Sequence, residues 1–217
     1  MYEKVQTKDG SVTYRRTDLD VTYRSVHGAQ SESQHVFLGG TKLASRPTPW
    51  RVLELGFGTG LNFQQTCRLA EKMGVELEYY SLEPSPMPTD LWLVDLKWKS
   101  APLDQPFKIG KVTLHLVNKL WQDYKPPEEH FGAFYHDPFG PGQAPDCWER
   151  PCFEWSHQAL TEDGVLATFG ASTKARQAMK EAGYLIGSLP GAGGKREMTV
   201  ASKSAEALEH AKPWKRL

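Results

Sequence analysis

Residues 51–74 read RVLEL, then GFGTG, then LNFQQTCRLAEKMG. The first piece is a compact apolar run of the kind a parallel strand buried on both faces requires. The second is a three-glycine turn, and the third carries apolar residues at helical spacing until Gly74 closes it. A strand that feeds a helix through so short a turn begins a strand–helix–strand unit, which commits the chain to a sheet covered on both faces. The pattern then repeats. VELEYYSLE predicts a strand ending at Glu83, before the turn Pro84 to Pro88, and a helix is expected over Asp90 to Trp98. Strands follow at VTLHLV and FGAFYHD, then a helix near Trp148 to Leu160, the strand GVLATF, and a helix over STKARQAMKEAG. The run YLIGSLPGAGGKREMTVAS predicts a closing hairpin, which sets one antiparallel strand into the parallel sheet.

Ahead of this pattern, residues 11 to 38 hold short runs (SVTYRR, VTYRSV, HVFLGG) rich in β-branched and aromatic residues, and these read as strands. Pro47 and Pro49 punctuate the entry to the main unit. The expected organisation is a β-rich extension over residues 1–46 packed on the main domain, the domain itself over 47–202, and a basic tail over 203–217. The tail is expected to be a frayed helix with a mobile end. The polar N-terminus MYEKVQTKDG lacks the apolar core of a signal peptide, and no apolar stretch approaches the length of a membrane span. Three cysteines (Cys67, Cys147 and Cys152) without C-x-x-C spacing favour a reducing, cytoplasmic setting over a disulfide framework or a zinc site. With 26 basic and 26 acidic residues the formal net charge is zero, which argues against indiscriminate polyanion binding but allows a local basic patch.

The chemistry is expected where strand ends meet. Gly56, Gly58 and Gly60 suit a loop that turns tightly beside a ligand at a helix N-terminus. By themselves three glycines do not select that ligand. Their spacing departs from the dinucleotide G-x-G-x-x-G fingerprint. Glu54, just before the loop, is placed to meet the amino group of a methionine moiety. Glu83, 23 residues beyond Gly60, is placed to accept both hydroxyls of a ribose. The combination favours a nucleoside sulfonium. Asp137 ends the strand expected beside the first one and opens the loop DPFGP, a natural place for an acceptor amine. Because an ordinary carboxylate is a weak base and favours the ammonium form of an amine, Asp137 is expected to orient the nucleophile and stabilise developing positive charge. Phe139 and Trp148 are expected to supply an apolar setting. His136 is a candidate neighbour of Asp137.

Several stretches occur together in one order: Val36-Phe37-Leu38-Gly39-Gly40, Glu54-Leu55-Gly56-Phe57-Gly58-Thr59-Gly60-Leu61-Asn62-Phe63, Asp137-x-Phe139-x-Pro141 with Pro145-Asp146-x-Trp148, Leu166-Ala167-Thr168-Phe169, and Lys195-Arg196-Glu197-Met198. From about Asp20 to Ser202 the chain thereby resembles the methyltransferase part of MnmC-type bifunctional enzymes, which complete 5-methylaminomethyl-2-thiouridine in tRNA. The resemblance implies an α/β, Rossmann-like class I methyltransferase fold with a mixed seven-stranded sheet and helices on both faces. It implies S-adenosyl-L-methionine as methyl donor, and no metal is expected. The FAD-dependent domain of the bifunctional enzymes is not expected in a chain this short, so that another enzyme would prepare the aminomethyl substrate.

On this resemblance Glu54, Gly56, Phe57, Gly58, Thr59, Gly60, Asn62, Glu83 and Pro138 are candidates for the donor site, and Asp137 is the candidate catalytic residue. Phe139, Lys195 and Arg196 are candidates for the acceptor, which is expected to be the wobble uridine of tRNA. Lys203, Lys212, Lys215 and Arg216 are further candidate phosphate contacts or a solvated basic end. Three departures stand out: Ala192 replaces the aromatic residue usual before Lys-Arg-Glu-Met, Pro138 replaces a small residue, and only Asn118 and Asp123 offer themselves near the adenine. Two other readings stay open, a methyltransferase acting on another amine (small molecule or DNA base) and a donor-binding module without catalysis.

Overall fold

The computed structural model of the chain describes residues 1–214. Among the described residues the main sheet has nine strands. Its centre is β4 (Trp50–Leu55), parallel to β5 (Leu77–Leu82) on one side and to β8 (Phe131–His136) on the other. β7 (Val112–Val117) continues the parallel set beyond β5, and β9 (Leu160–Thr168) continues it beyond β8. The closing hairpin, β10 (Leu185–Pro190) and β11 (Glu197–Ser202), inserts β11 antiparallel against β9, as its sequence predicts.

Side chains along the central strands alternate between two cores. Val52 and Tyr135 join Phe63, Tyr79 and Trp98 on one face, while Leu53 and Phe134 join Phe153, Met179 and Tyr184 on the other. Each such large buried side chain contributes about 1.5–3 kcal/mol. Helix α2 (Leu61–Met73) packs Phe63, Cys67 and Ala70 into the first core, and α3 (Arg150–Ala159) and α4 (Thr173–Glu181) cover the second. Among the described residues no helix is long and apolar enough to cross a membrane.

Several local expectations are corrected. Two extra edge strands bring the count from the expected seven to nine: β6 (Pro106–Ile109), which folds back on β7 through Gly110, and β12 (Lys212–Pro213), which pairs with β10. The tail is therefore not a frayed helix, and Leu208 is buried against the core; Lys215 and Arg216 lie outside the described residues. The extension does form a small sheet of β1 (Tyr2–Gln6), β2 (Val12–Arg16) and β3 (Val21–Thr22). HVFLGG, read as a strand, is instead helical, running from α1 (Ala29–Glu32) into a π-turn segment over Ser33–Gly39. The reason is periodicity: Ser33, Val36, Phe37 and Gly40 are buried together, the i, i+3, i+4, i+7 face of a helix. The helix expected over Asp90–Trp98 is reduced to two 3₁₀ turns. Tertiary partners take its backbone groups: Leu93 N–H donates to Thr59 O at 2.7 Å and Asp95 N–H to Gln64 Oε1 at 2.6 Å.

Candidate active site

A cleft of about 700 Å³ opens at the carboxyl ends of β4, β5 and β8, where open α/β sheets place their ligands. Gly56, Gly58, Thr59, Glu83, Asp137 and Phe139 all line it. Gly56 has φ +93°, and a Cβ there would lie 2.6 Å from the carbonyl oxygen of Asp137. That glycine lets the loop after β8 close on the loop after β4. At Gly58 (φ +51°) the neighbour is the ring of Tyr23, 2.9 Å from where a Cβ would stand. The extension thus lies directly on the glycine loop.

Glu83 accepts the N–H of Gly58 with Oε2 and that of Ser85 with Oε1, each at 3.0 Å. Both oxygens keep lone pairs for further donors. The buried hydroxyl of Thr59 has no hydrogen-bond partner among the described residues. A carboxylate with spare acceptor capacity and an unpartnered hydroxyl, on the wall of a cleft beside a helix N-terminus, fit a nucleoside with free hydroxyls and a charged amino-acid end. Leu120 and Trp121 also form part of the wall, with the Asp146 carboxylate accepting from Trp121 Nε1 at 3.2 Å. Asn118 and Asp123 are not part of that wall.

Beneath the loop sits a buried polar group. The side-chain amide of Asn62 donates to Glu54 Oε1 and to Asp137 Oδ2, both at 2.8 Å, while its oxygen accepts from Ser33 Oγ at 2.6 Å. Ser81 Oγ donates to the other oxygen of Glu54 at 2.7 Å. Glu54 and Asn62 are fully buried and lie behind the cleft wall, as do Phe57 and Gly60. Burial pushes Glu54 up to about 8, against the pull of Ser81 and Asn62. Asp137 is pushed up to about 7 by burial; Arg24 holds it down and Glu32 pushes it further up. The ordinary carboxylate range expected for Asp137 therefore does not hold, and near neutral pH this group is matched to accept a proton.

His136, adjacent in sequence, faces away. It is buried among Phe134, Trp148 and Phe153, its Nε2 donates to Cys147 O at 2.8 Å, and burial lowers it to about 4, so it is neutral. Trp148 Nε1 donates to Phe139 O at 2.8 Å, which fixes the DPF loop rather than lining the cleft. Pro138 and Phe139 are on the cleft wall, with Phe139 against Tyr23 at 5.2 Å between ring centroids. Lys195 reaches inward: its Nζ lies 4.5 Å from the Phe169 ring centroid and 3.2 Å from Glu32 Oε1. Arg196 is exposed and is not part of the wall.

Comparison with known proteins accords with this geometry. Residues 99–204 match the model of a family described as S-adenosyl-L-methionine-dependent methyltransferase. The tRNA 5-methylaminomethyl-2-thiouridine biosynthesis bifunctional protein MnmC of Pseudomonas aeruginosa is 30% identical over 220 residues, covering 88% of this chain and 34% of that protein. Its counterpart in Ralstonia nicotianae is 31% identical over 212 residues, covering 84% and 32%. The crystal structure of MNMC2 from Aquifex aeolicus superposes with a TM-score of 0.83 at 23% identity, over 100% of this chain and 73% of that one. The chain is a methyltransferase similar in sequence and fold to MnmC-type proteins. It spans about a third of the length of the curated relatives it matches.

Sequence reasoning missed three groups of this methyltransferase site: Arg24, Tyr23 and Glu32, all from the extension. Arg24 forms an ion pair with Asp137, and their side chains are 5% and 6% exposed. Nothing in the sequence separates Arg24 from the exposed Arg15 and the half-buried Arg16 of β2. For Glu32, the helical period running on through Phe37 was an available signal, because it sets residues 29–40 against the main domain.

Proposed function

We propose that this methyltransferase transfers a methyl group to the 5-aminomethyl nitrogen of the (2-thio)uridine at the tRNA wobble position, giving 5-methylaminomethyl-(2-thio)uridine. The observation that carries the reading is the position of Asp137. A buried carboxylate stands where the donor loop meets a wall of Tyr23, Phe139 and Phe169, rings suited to hold an unstacked base. The names of the related proteins support uridine in tRNA as the acceptor.

S-adenosyl-L-methionine supplies an electrophilic methyl group when bound. Gly58, Thr59 and Glu83 hold the nucleoside end of the donor. Glu54 and Asn62 act from behind the wall, fixing the loop and Asp137 rather than touching either substrate. Asp137 orients the acceptor nitrogen, stabilises the charge that develops on it and accepts the proton it sheds. Tyr23, Phe139 and Phe169 exclude water, which favours the neutral amine. Arg196 and the exposed Lys212 extend the contact to tRNA phosphates. The protein acts in the cytoplasm.

Mass spectrometry of nucleosides tests the reading. Purified protein, isotopically labelled donor and tRNA carrying 5-aminomethyluridine are expected to give the labelled methylaminomethyl nucleoside. Donor binding without that product overturns the proposal, and methylation of a free amine in its place assigns a different acceptor.

A further inference from the structure

Acidic side chains converge on the cleft wall. Glu32 from α1 and Asp137 after β8 are buried, and Glu83 stands at the end of β5, whereas Glu54, behind the wall, is pushed up to about 8 by burial and adds little charge near neutral pH. Such a field holds an acceptor amine as its ammonium ion, which has no lone pair to attack with. Two cations face it. Lys195, from the loop between β10 and β11, engages Glu32. Arg24 reaches in from the extension, its guanidinium 5.5 Å from the Phe37 ring centroid, and pairs with Asp137. Among the described residues Arg24 is the ion-pair partner of Asp137.

We infer that Arg24 is a positioning residue for transfer: by pairing with Asp137 inside the cleft it keeps that carboxylate ionised and offsets the field that would hold the acceptor amine protonated. The inference rests on the reading of Asp137 as the group beside the acceptor amine. In the step served, the acceptor nitrogen has already lost one proton to solvent. It gains the methyl group through a new N–C bond as the electron pair of the C–S bond leaves with sulfur. It then carries one proton too many, which Asp137 accepts. Both requirements, a free lone pair and an ionised Asp137, fail on the acid side. Arg24 therefore sets the lower edge of the working pH range. Because Arg24 belongs to the extension and not to the strand–helix core, that edge is a property the extension confers.

The test has two readouts. Carboxyl ¹³C titration of Asp137 in the free protein, assigned by difference with Asp137→Asn, gives its midpoint without any substrate. Single-turnover methyl transfer at saturating donor gives the pH profile. Arg24→Gln is expected to raise the midpoint by about one pH unit or more and to slow transfer at pH 7 roughly tenfold or more, with the deficit closing towards pH 9. Arg24→Lys is expected to restore most of the neutral rate. Glu32→Gln is expected to move the midpoint the opposite way, and it carries the test if Arg24→Gln does not fold. An unchanged midpoint in these variants, or a loss of the same factor at every pH, overturns the inference. If the wild-type protein does not methylate the amine, the proposed reaction falls while the carboxyl titration still decides the role of Arg24.

Discussion

Asn62 donates its side-chain amide to the carboxylate of Asp137 at 2.8 Å, tying the first turn of α2 to the end of β8 across the sheet. The same nitrogen serves Glu54 at 2.8 Å. One amide therefore sets the spacing between the glycine loop and the acceptor side, and its own oxygen is held by Ser33 from the extension. Disturbing any of the three elements is expected to be felt at Asp137.

Asp137→Asn preserves the shape of the side chain and removes its charge. Turnover is expected to fall by about 100-fold or more, the scale of a lost proton acceptor or charge-stabilising group. Donor affinity, measured by calorimetry, is expected to change by less than about threefold. Equal losses in both would make Asp137 a donor ligand instead.

Glu83→Ala is expected to show the reverse. Hydrogen bonds to a charged group contribute about 1.5–3 kcal/mol, so donor affinity should drop roughly 10- to 100-fold. At saturating donor the rate should stay within a few fold of wild type. A variant with normal affinity would remove Glu83 from the donor site.

Burial raises both Glu54, to about 8, and Asp137, to about 7, so the native chain holds these protons more tightly than the unfolded chain does. Their contribution to stability is greatest at acid pH and is lost as pH rises towards 8. His136, lowered to about 4, acts in the opposite sense and lowers stability below the ordinary imidazole range. Glu54→Gln removes the larger carboxylate contribution, and the Ser81 hydroxyl can turn to accept from the new amide. Thermal melts should show the variant stabilised by about 3 kcal/mol at pH 8, roughly 6–12 °C in Tm, and by little at pH 5. Parallel melting curves across that range would mean that Glu54 titrates as an ordinary carboxylate.

Phosphate contacts are best tested by substitution. Deleting everything after Ser202 would also remove β12 and the buried Leu208. Arg196→Ala leaves the core intact, and it should weaken tRNA binding and reduce the slope of log affinity against log salt by about one. An unchanged slope would mean that Arg196 is merely solvated.

The parallel core was legible because its signals are local. RVLEL, the glycine turn and the α2 period each declare themselves within a few residues, and the closing hairpin is marked by its Pro/Gly loop. Gly56, Gly58 and Glu83 could be placed at the cleft from strand ends alone. The depth of Glu54 could not, because Glu54 faces the core only once Ser81 and Asn62 are beside it, 27 and 8 residues away. The shift of Asp137 was hidden for the same reason: desolvation is a property of the assembled site. Composition misled at HVFLGG, where β-branched and aromatic residues suggested a strand while the spacing of Val36, Phe37 and Gly40 was helical. Arg24 carried no local mark, since its meaning depends on a carboxylate 113 residues away.

Among the described residues the main sheet ends on both sides in a short strand that contains a proline, Pro106 in β6 and Pro213 in β12. A proline has no N–H to offer a neighbouring chain, and strands of four and two residues give little length to copy. The sheet is thereby closed to growth by strand addition. Copies of this domain should stay apart at high concentration unless other surfaces bring them together, leaving the cleft mouth at the strand ends free for a macromolecule as bulky as tRNA.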